Sequence, residues 1–162
     1  MAAAGSAGHL AARALARRTR ASLAYHRSVP RATTTLTPEA RAFLAAPRYA
    51  TIATVGPDGA PHQAIVWYLL DGDDLIINSR PERHWPRNLA ADPRISVAVY
   101  ELEQPEHWFG LKGRAELLHE GADALADIGA MARRYGKDPE EYAGQNRVTY
   151  RIRIERVFEY GP

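Results

Sequence analysis

The chain predicts a mainly β fold with peripheral helices, built as a small closed or split antiparallel barrel. Three observations predict it. Stretches rich in Val, Ile and Thr recur at short intervals, from "ATIATV" onward. The early ones are joined by turn-dense connections of hairpin length, "GPDGAP" and "DGDD", which favours antiparallel pairing. The C-terminal "TYRIRIERVFEY" alternates with period two, Tyr150, Ile152 and Ile154 opposing Arg151, Arg153 and Glu155, as a half-buried strand does.

In chain order, "LTPEARAFLAAP" opens the domain as a helix. Thr37 serves as N-cap, Pro38 takes the first helical position and Glu39 the first turn, where proline and acids fit best. Ala40, Phe43 and Leu44 form its apolar stripe, and Pro47 ends it. Strands are predicted over 49–55, 62–70, 75–78, 95–101, 108–119 and 149–160, about six in all. Helices are predicted over 82–91, ended by "DP" at Asp92 and Pro93, and over 122–135, with Leu125, Ile128, Met131 and Ala132 on one face. A loop and a short helix fall in "GKDPEEYAG". Layers of this kind suit one domain over 36–162.

Composition narrows the function. Hydrophobic residues at 46% and charged ones at 25% are ordinary for a globular domain, and no apolar run approaches the ~18–20 residues of a membrane span. There is no cysteine, which removes disulfides, thiolate catalysis and zinc–cysteine sites. Of 21 Lys and Arg, six are Arg in residues 1–35, a stretch without acids; the remainder carries 15 basic against 19 acidic residues. The basic character therefore belongs to an Arg/Ala-rich extension, read as disordered or weakly helical although its composition resembles a transit peptide. The acidic balance of the domain argues against nucleic acid as its partner.

Motif chemistry is mostly negative. Neither G-x-G-x-x-G nor G-x-x-x-x-G-K-[ST] occurs, nor G-x-S-x-G, nor H-E-x-x-H. Histidines at 9, 26, 62, 84, 107 and 119 lack metal-ligand spacing, so no metal site is predicted. With no nucleophile–base pair, no catalytic side chain is assigned. A protein of this kind can hold a cofactor that carries the chemistry itself, supplying position and anion contacts. The segment "NSRPERHWPRNLAADPR" suits that role: a strand end, then a basic helix start, then a helix exit. Free N–H groups and the dipole at a helix start attract anions, and Arg adds a bidentate phosphate partner.

The ordered set "ATIATVGPDGAPHQAIVWYLLDGDDLIINSRPERHWPRNLAADPRISVAVYE", "GLKGRAELL" and "YRIRIERVFEYG" resembles the pyridoxamine 5′-phosphate oxidase-like family. More narrowly it resembles the bacterial branch of flavin- or deazaflavin (coenzyme F420)-dependent oxidoreductases. The resemblance spans roughly residues 37–160. It implies a six-stranded antiparallel split β-barrel of the FMN-binding type, a cytoplasmic homodimer, and coenzyme F420 or FMN in a groove between subunits. It also implies hydride transfer between that cofactor and a small organic acceptor, with no obligatory acid–base residue.

Position by position, the resemblance lays Gln63, Ala64, Ile65, Val66 and Trp67 along the ring. It gives Ile77, Asn78, Ser79 and Arg80 to ring and ribityl chain, and Arg83, His84 and Trp85 to the phosphate. Family members commonly carry Lys where Trp85 stands, so one phosphate partner is missing; His84 or Arg80 is the candidate substitute, and the indole fits stacking on a ring or filling a dimer interface. Asn88 and Asp92 read as scaffold. Lys112 and Arg114 alternate on one strand face; they read either as contacts to a cofactor tail from the partner subunit or as a solvated face. Arg80, Arg83, Arg87, Lys112 and Arg114 together are enough for a basic groove. Trp67 and Trp108 read as ring platforms or as core or interface. A non-catalytic flavin, deazaflavin or haem carrier on the same fold is the alternative to an enzyme.

Overall fold

The computed structural model describes residues 35–161. Apart from Thr35, the extension expected over residues 1–35 lies outside the described residues.

Helix α1 (Pro38–Ala45) starts as expected: Thr37 Oγ1 accepts the Ala40 N–H at 3.1 Å, and Ala40, Phe43 and Leu44 are buried. The strands are β1 (Ala50–Val55), β2 (Pro61–Val66), β3 (Tyr68–Asp71), β4 (Asp74–Ser79), β5 (Arg94–Tyr100), β6 (Trp108–Glu120) and β7 (Val148–Tyr160). Helix α2 (His84–Ala91) follows β4, and α3 (Gly121–Arg134) with a 3₁₀ turn (Pro139–Tyr142) joins β6 to β7. All pairings are antiparallel, in the order β2-β1-β5-β6-β7-β4-β3.

That order carries one correction. There are seven strands, not six, because the strand expected over 62–70 is cut at Trp67. Its first half pairs with β1 and its second half with β4. The two halves form opposite edges of the sheet, yet one residue joins them. A single residue spans no more than ~3.6 Å of chain, so the sheet has to curl until its edges meet. This is the split barrel. The helix expected over 82–91 also starts later, since Arg83 holds an extended backbone (φ −70°, ψ 161°) and is the N-cap.

Inside the curl lies the main core, with Leu44, Ile52, Leu75, Ile77, Val99, Leu111 and Ile152 at 0–1% exposure. A second, smaller cluster sits on the other face of β4, where Ile76 packs with Ile128 and Met131 of α3. Strand β4 is thus buried on both sides, which is why its burial does not alternate.

The period-two pattern of β7 holds as far as Ile154 and then changes phase, Val157 being the next residue fully buried. The pairing slips there: Lys112 faces Arg156 while Gly113 faces Ile154, leaving Glu155 as the extra residue of a bulge. A Cβ on Gly113 would stand 2.1 Å from the Arg153 carbonyl oxygen, so only glycine admits this approach. No helix among the described residues is long and apolar enough to cross a membrane.

Candidate functional site

Where β2 hands over to β3, the backbone leaves the ladder and needs other partners. Tyr135, just past α3, supplies them. Its hydroxyl accepts the Tyr68 N–H at 3.2 Å and donates to the Arg48 carbonyl at 2.6 Å. Burial pushes the Tyr135 hydroxyl up from its ordinary pKa, and does the same to Tyr68, so both remain proton donors. The Tyr135 ring stacks on Trp67, with centroids 5.0 Å apart and planes 7° apart; Tyr142 meets the same indole edge-on at 6.1 Å.

Beside this aromatic stack opens a cleft of about 240 Å³. One wall is Tyr49 with Ile65, Val66 and Trp67; Ile128, Met131 and Tyr142 form another; Asn78, Arg147, Arg83 and Trp85 close the end. Among the described residues the lining holds no carboxylate, histidine, serine or threonine. Its titratable groups are two arginines and two tyrosines. Such a site can bind a planar apolar ring and an anion, and offers no general base of ordinary strength.

The start of α2 is held in place by scaffold. Asn88 donates to Thr54 Oγ1 at 3.0 Å, and Tyr150 donates its hydroxyl to the Pro86 carbonyl at 3.1 Å. The scaffold reading of Asn88 fits this bond. No side chain caps the helix, and the Arg83 guanidinium makes no hydrogen bond or ion pair among the described residues. Asp92 at the exit accepts the Arg94 N–H at 3.0 Å.

Of the residues expected at the cofactor, Ile65, Val66, Trp67, Asn78, Arg83 and Trp85 line the cleft. Ala64 points to the core, and Ile77 is at 0% exposure within it. Ser79 is buried at 1%, its hydroxyl without a hydrogen-bond partner. Arg80 is exposed and pairs with Glu82 at 3.2 Å. His84 is exposed beside His62, ring centroids 5.3 Å apart. Trp85 is 3% exposed, its ring 6.0 Å from that of Tyr150, and packs in its own chain's core at the edge of the cleft.

Gln63, Lys112 and Arg114 lie elsewhere, on the outward side of the sheet. The register places Gln63, Ala53, Ser96 and Lys112 in one row, and Arg114 opposite Arg94. One chain therefore does not gather Arg83, Lys112 and Arg114 into a single groove. Among the described residues no group of three or more His, Asp or Glu is placed to hold a metal.

Sequence reasoning missed Tyr135 and Tyr142, which build the stack, and Arg147. The last is 6% exposed. Its Nε–H donates to Asn78 Oδ1 at 2.8 Å and its Nη1 to Gln145 Oε1 at 3.0 Å. Asn78 is held in turn, donating to the Ala124 carbonyl and to Thr149 Oγ1, both at 2.8 Å. The signal was weak: an Arg just ahead of a strand whose odd positions, as far as Arg153, face α3 or solvent.

Comparison with known proteins agrees with this architecture. No curated protein matches the chain. Among solved structures, one titled F420 reductase is 26% identical, with a TM-score of 0.63, over 72% of this chain and 94% of that one. A conserved hypothetical protein from Mycobacterium tuberculosis, 24% identical, shares the fold with a TM-score of 0.66 over 82% of this chain and 89% of that one. A heme binding protein from Mycobacterium smegmatis is 27% identical with a TM-score of 0.60, over 74% of this chain and 51% of the other. The family profile described as pyridoxamine 5′-phosphate oxidase matches residues 36–161, nearly the whole described domain, and the chain therefore belongs to that family.

Proposed function

We infer that the cleft binds a phosphorylated flavin-type cofactor, coenzyme F420 or FMN, and that the protein is an oxidoreductase acting on a small organic acceptor. The observation that carries this is the joining of an aromatic stack, Trp67 on Tyr135, to a helix start without a side-chain cap, whose Arg83 guanidinium has no ion pair among the described residues. Bound and reduced, such a cofactor would supply a hydride to an electrophilic carbon of the acceptor, with the balancing proton drawn from solvent. The chain's own part is to bind and orient. Trp67 and Tyr49 offer flat apolar contact, Ile128 and Met131 exclude water, and Arg83 with the N–H groups of α2 holds the phosphate. That no carboxylate or histidine among the described residues lines the cleft suits a reaction whose chemistry lies in the cofactor. Likeness to the structure titled F420 reductase supports the deazaflavin member of the pair.

The cleft's 240 Å³ is below the ~300–1,000 Å³ usual for ligand sites, which supports a second wall from a homodimer. The outward sheet face fits that use. Ile65, Thr51, Ala98, Gly110 and Phe158 share one row across it, small residues between two large apolar ones, and Ile65 is 74% exposed. Lys112 and Arg114 on the same face are then placed to reach a partner's cofactor.

Fluorescence titration of the full-length protein with FMN and with coenzyme F420 tests the reading. Saturable micromolar or tighter binding of one is expected, weakened about tenfold in Arg83→Ala; no affinity for either ends it. A second reading, a carrier without turnover, draws on the likeness to a heme binding protein and on a lining without carboxylate or histidine among the described residues. Mixing the loaded, reduced protein with enones or quinones separates the two, since only an enzyme speeds reoxidation with acceptor.

A further inference from the structure

Arg147 is a buried cation without a counterion. It is 6% exposed, and both groups it bonds, the amide oxygens of Asn78 and Gln145, are neutral. The Tyr142 ring, 5.6 Å from the guanidinium carbon, adds only a cation–π contact. No ion pair to Arg147 exists among the described residues. Burying an unpaired charge is expensive, and removing guanidinium from water is ordinarily offset by a carboxylate. Burial lowers the Arg147 pKa from its ordinary value; Arg83 and, less strongly, Arg80 push the same way, while Tyr142 and Glu82 push back. The chain nonetheless fixes the side chain rigidly. Asn78 is anchored on Ala124 and Thr149 and grips Nε, and Gln145 grips Nη1, which leaves Nη2 without a hydrogen-bond partner among the described residues. Arg147 and Arg83 line the same cleft.

Resting on the reading of the cleft as a flavin-type site, we propose that Arg147 is its inner anion-binding residue, receiving a phosphoryl or carboxylate group of the ligand between itself and Arg83. An anion there relieves the desolvation of one guanidinium and the repulsion between two. Asn78 is then a positioning residue for Arg147. Arg147 sits outside the segment that the sequence marks as basic, reaching the site from just before β7, so the ligand's acid group is held from two remote parts of the chain. Two sources share this chemistry: the phosphate of the cofactor, and an acidic group on the acceptor.

The experiment uses the full-length protein and Arg147→Gln, with Arg147→Lys as a second variant that keeps the charge and loses the fork. Inorganic phosphate is first titrated against sodium chloride of matched ionic strength while Tm is followed. Phosphate is expected to raise the wild-type Tm beyond chloride, to do so less in Arg147→Lys, and in Arg147→Gln to leave only its general salting effect. FMN and riboflavin are then compared. Wild type is expected to prefer FMN by about tenfold or more, and Arg147→Gln to lose most of that preference while keeping riboflavin affinity. If phosphate protects through Arg147 but the FMN preference survives in Arg147→Gln, the acceptor is the source of the anion. If phosphate protects wild type and Arg147→Gln equally, or neither, the inference is overturned, whatever FMN does. If phosphate protects through Arg147 and neither FMN nor coenzyme F420 binds, the anion site stands and the flavin reading falls.

Discussion

Asn78 and Arg147 are joined by one 2.8 Å hydrogen bond, from the guanidinium Nε–H to the amide oxygen, across 69 positions of sequence. Both are buried, and the amide's two other bonds leave it no freedom to turn. The bond ties β4 to the start of β7 at the closed end of the cleft.

Asn78→Leu keeps roughly the same bulk and removes the only partner of the Arg147 Nε. A loss of about 2–4 kcal/mol is expected, read from the urea midpoint at unchanged m-value. Adding Arg147→Met should recover much of it, because the stranded charge goes too.

Tyr135→Phe keeps the ring on Trp67 and deletes the hydroxyl serving the Tyr68 N–H and the Arg48 carbonyl. We expect about 1–2 kcal/mol of destabilisation and faster hydrogen exchange at the Tyr68 amide. Unchanged exchange would mean that the strand break at Trp67 needs no external partner.

Gly113→Ala sets a methyl against the Arg153 carbonyl, 2.1 Å away before relaxation. The backbone of β6 or β7 has to move, at about 2–4 kcal/mol. Gly59→Ala, in an open turn at φ 80°, should cost only about 1 kcal/mol, so the two variants separate close approach from backbone freedom in thermal melts.

Side-chain hydrogen bonds from Arg94, and then its backbone N–H, hold the Asp92 carboxyl at about 2, below the ordinary 3.8. A folded value below the unfolded one means stability that is whole above the unfolded value and drains as pH falls through about 2. Carbon-detected NMR titration of the Asp92 carboxyl should show the low midpoint. Asp92→Asn should flatten its share of the acid limb between those two values.

Ile65→Glu places a carboxylate at the β2 end of the apolar row on the outward face. It should convert a dimer to monomer in light scattering at micromolar concentration and weaken cofactor binding with it, while the circular dichroism stays native because Ile65 touches little of its own core. A wild-type protein that is monomeric at all concentrations would remove the second wall from the proposed site.

Much of the fold is local information. Thr37 and Pro38 start α1 where their side-chain and ring geometry require, the "GPDGAP" and "DGDD" turns set antiparallel neighbours, and alternation in β7 assigns its faces as far as Ile154. For the same reason "NSRPERHW" could be read as strand end and helix start, bringing Asn78, Arg83 and Trp85 to one place. The β7 phase change was not legible, since a bulge is a property of two strands and depends on Gly113, which lies some forty residues earlier.

What the sequence by itself determined is the inventory: a mainly β domain behind a basic extension, no cysteine, and a basic helix start suited to an anion. What only the tertiary structure decided is who meets whom. Trp67 cuts one predicted strand into two because each half finds a different partner, β1 or β4, and pairing energy lies between strands. Lys112 and Arg114 face away from their own cleft because the register fixes every side chain's side at once. Arg147 enters the site through an amide 69 positions away, a contact that no local pattern encodes.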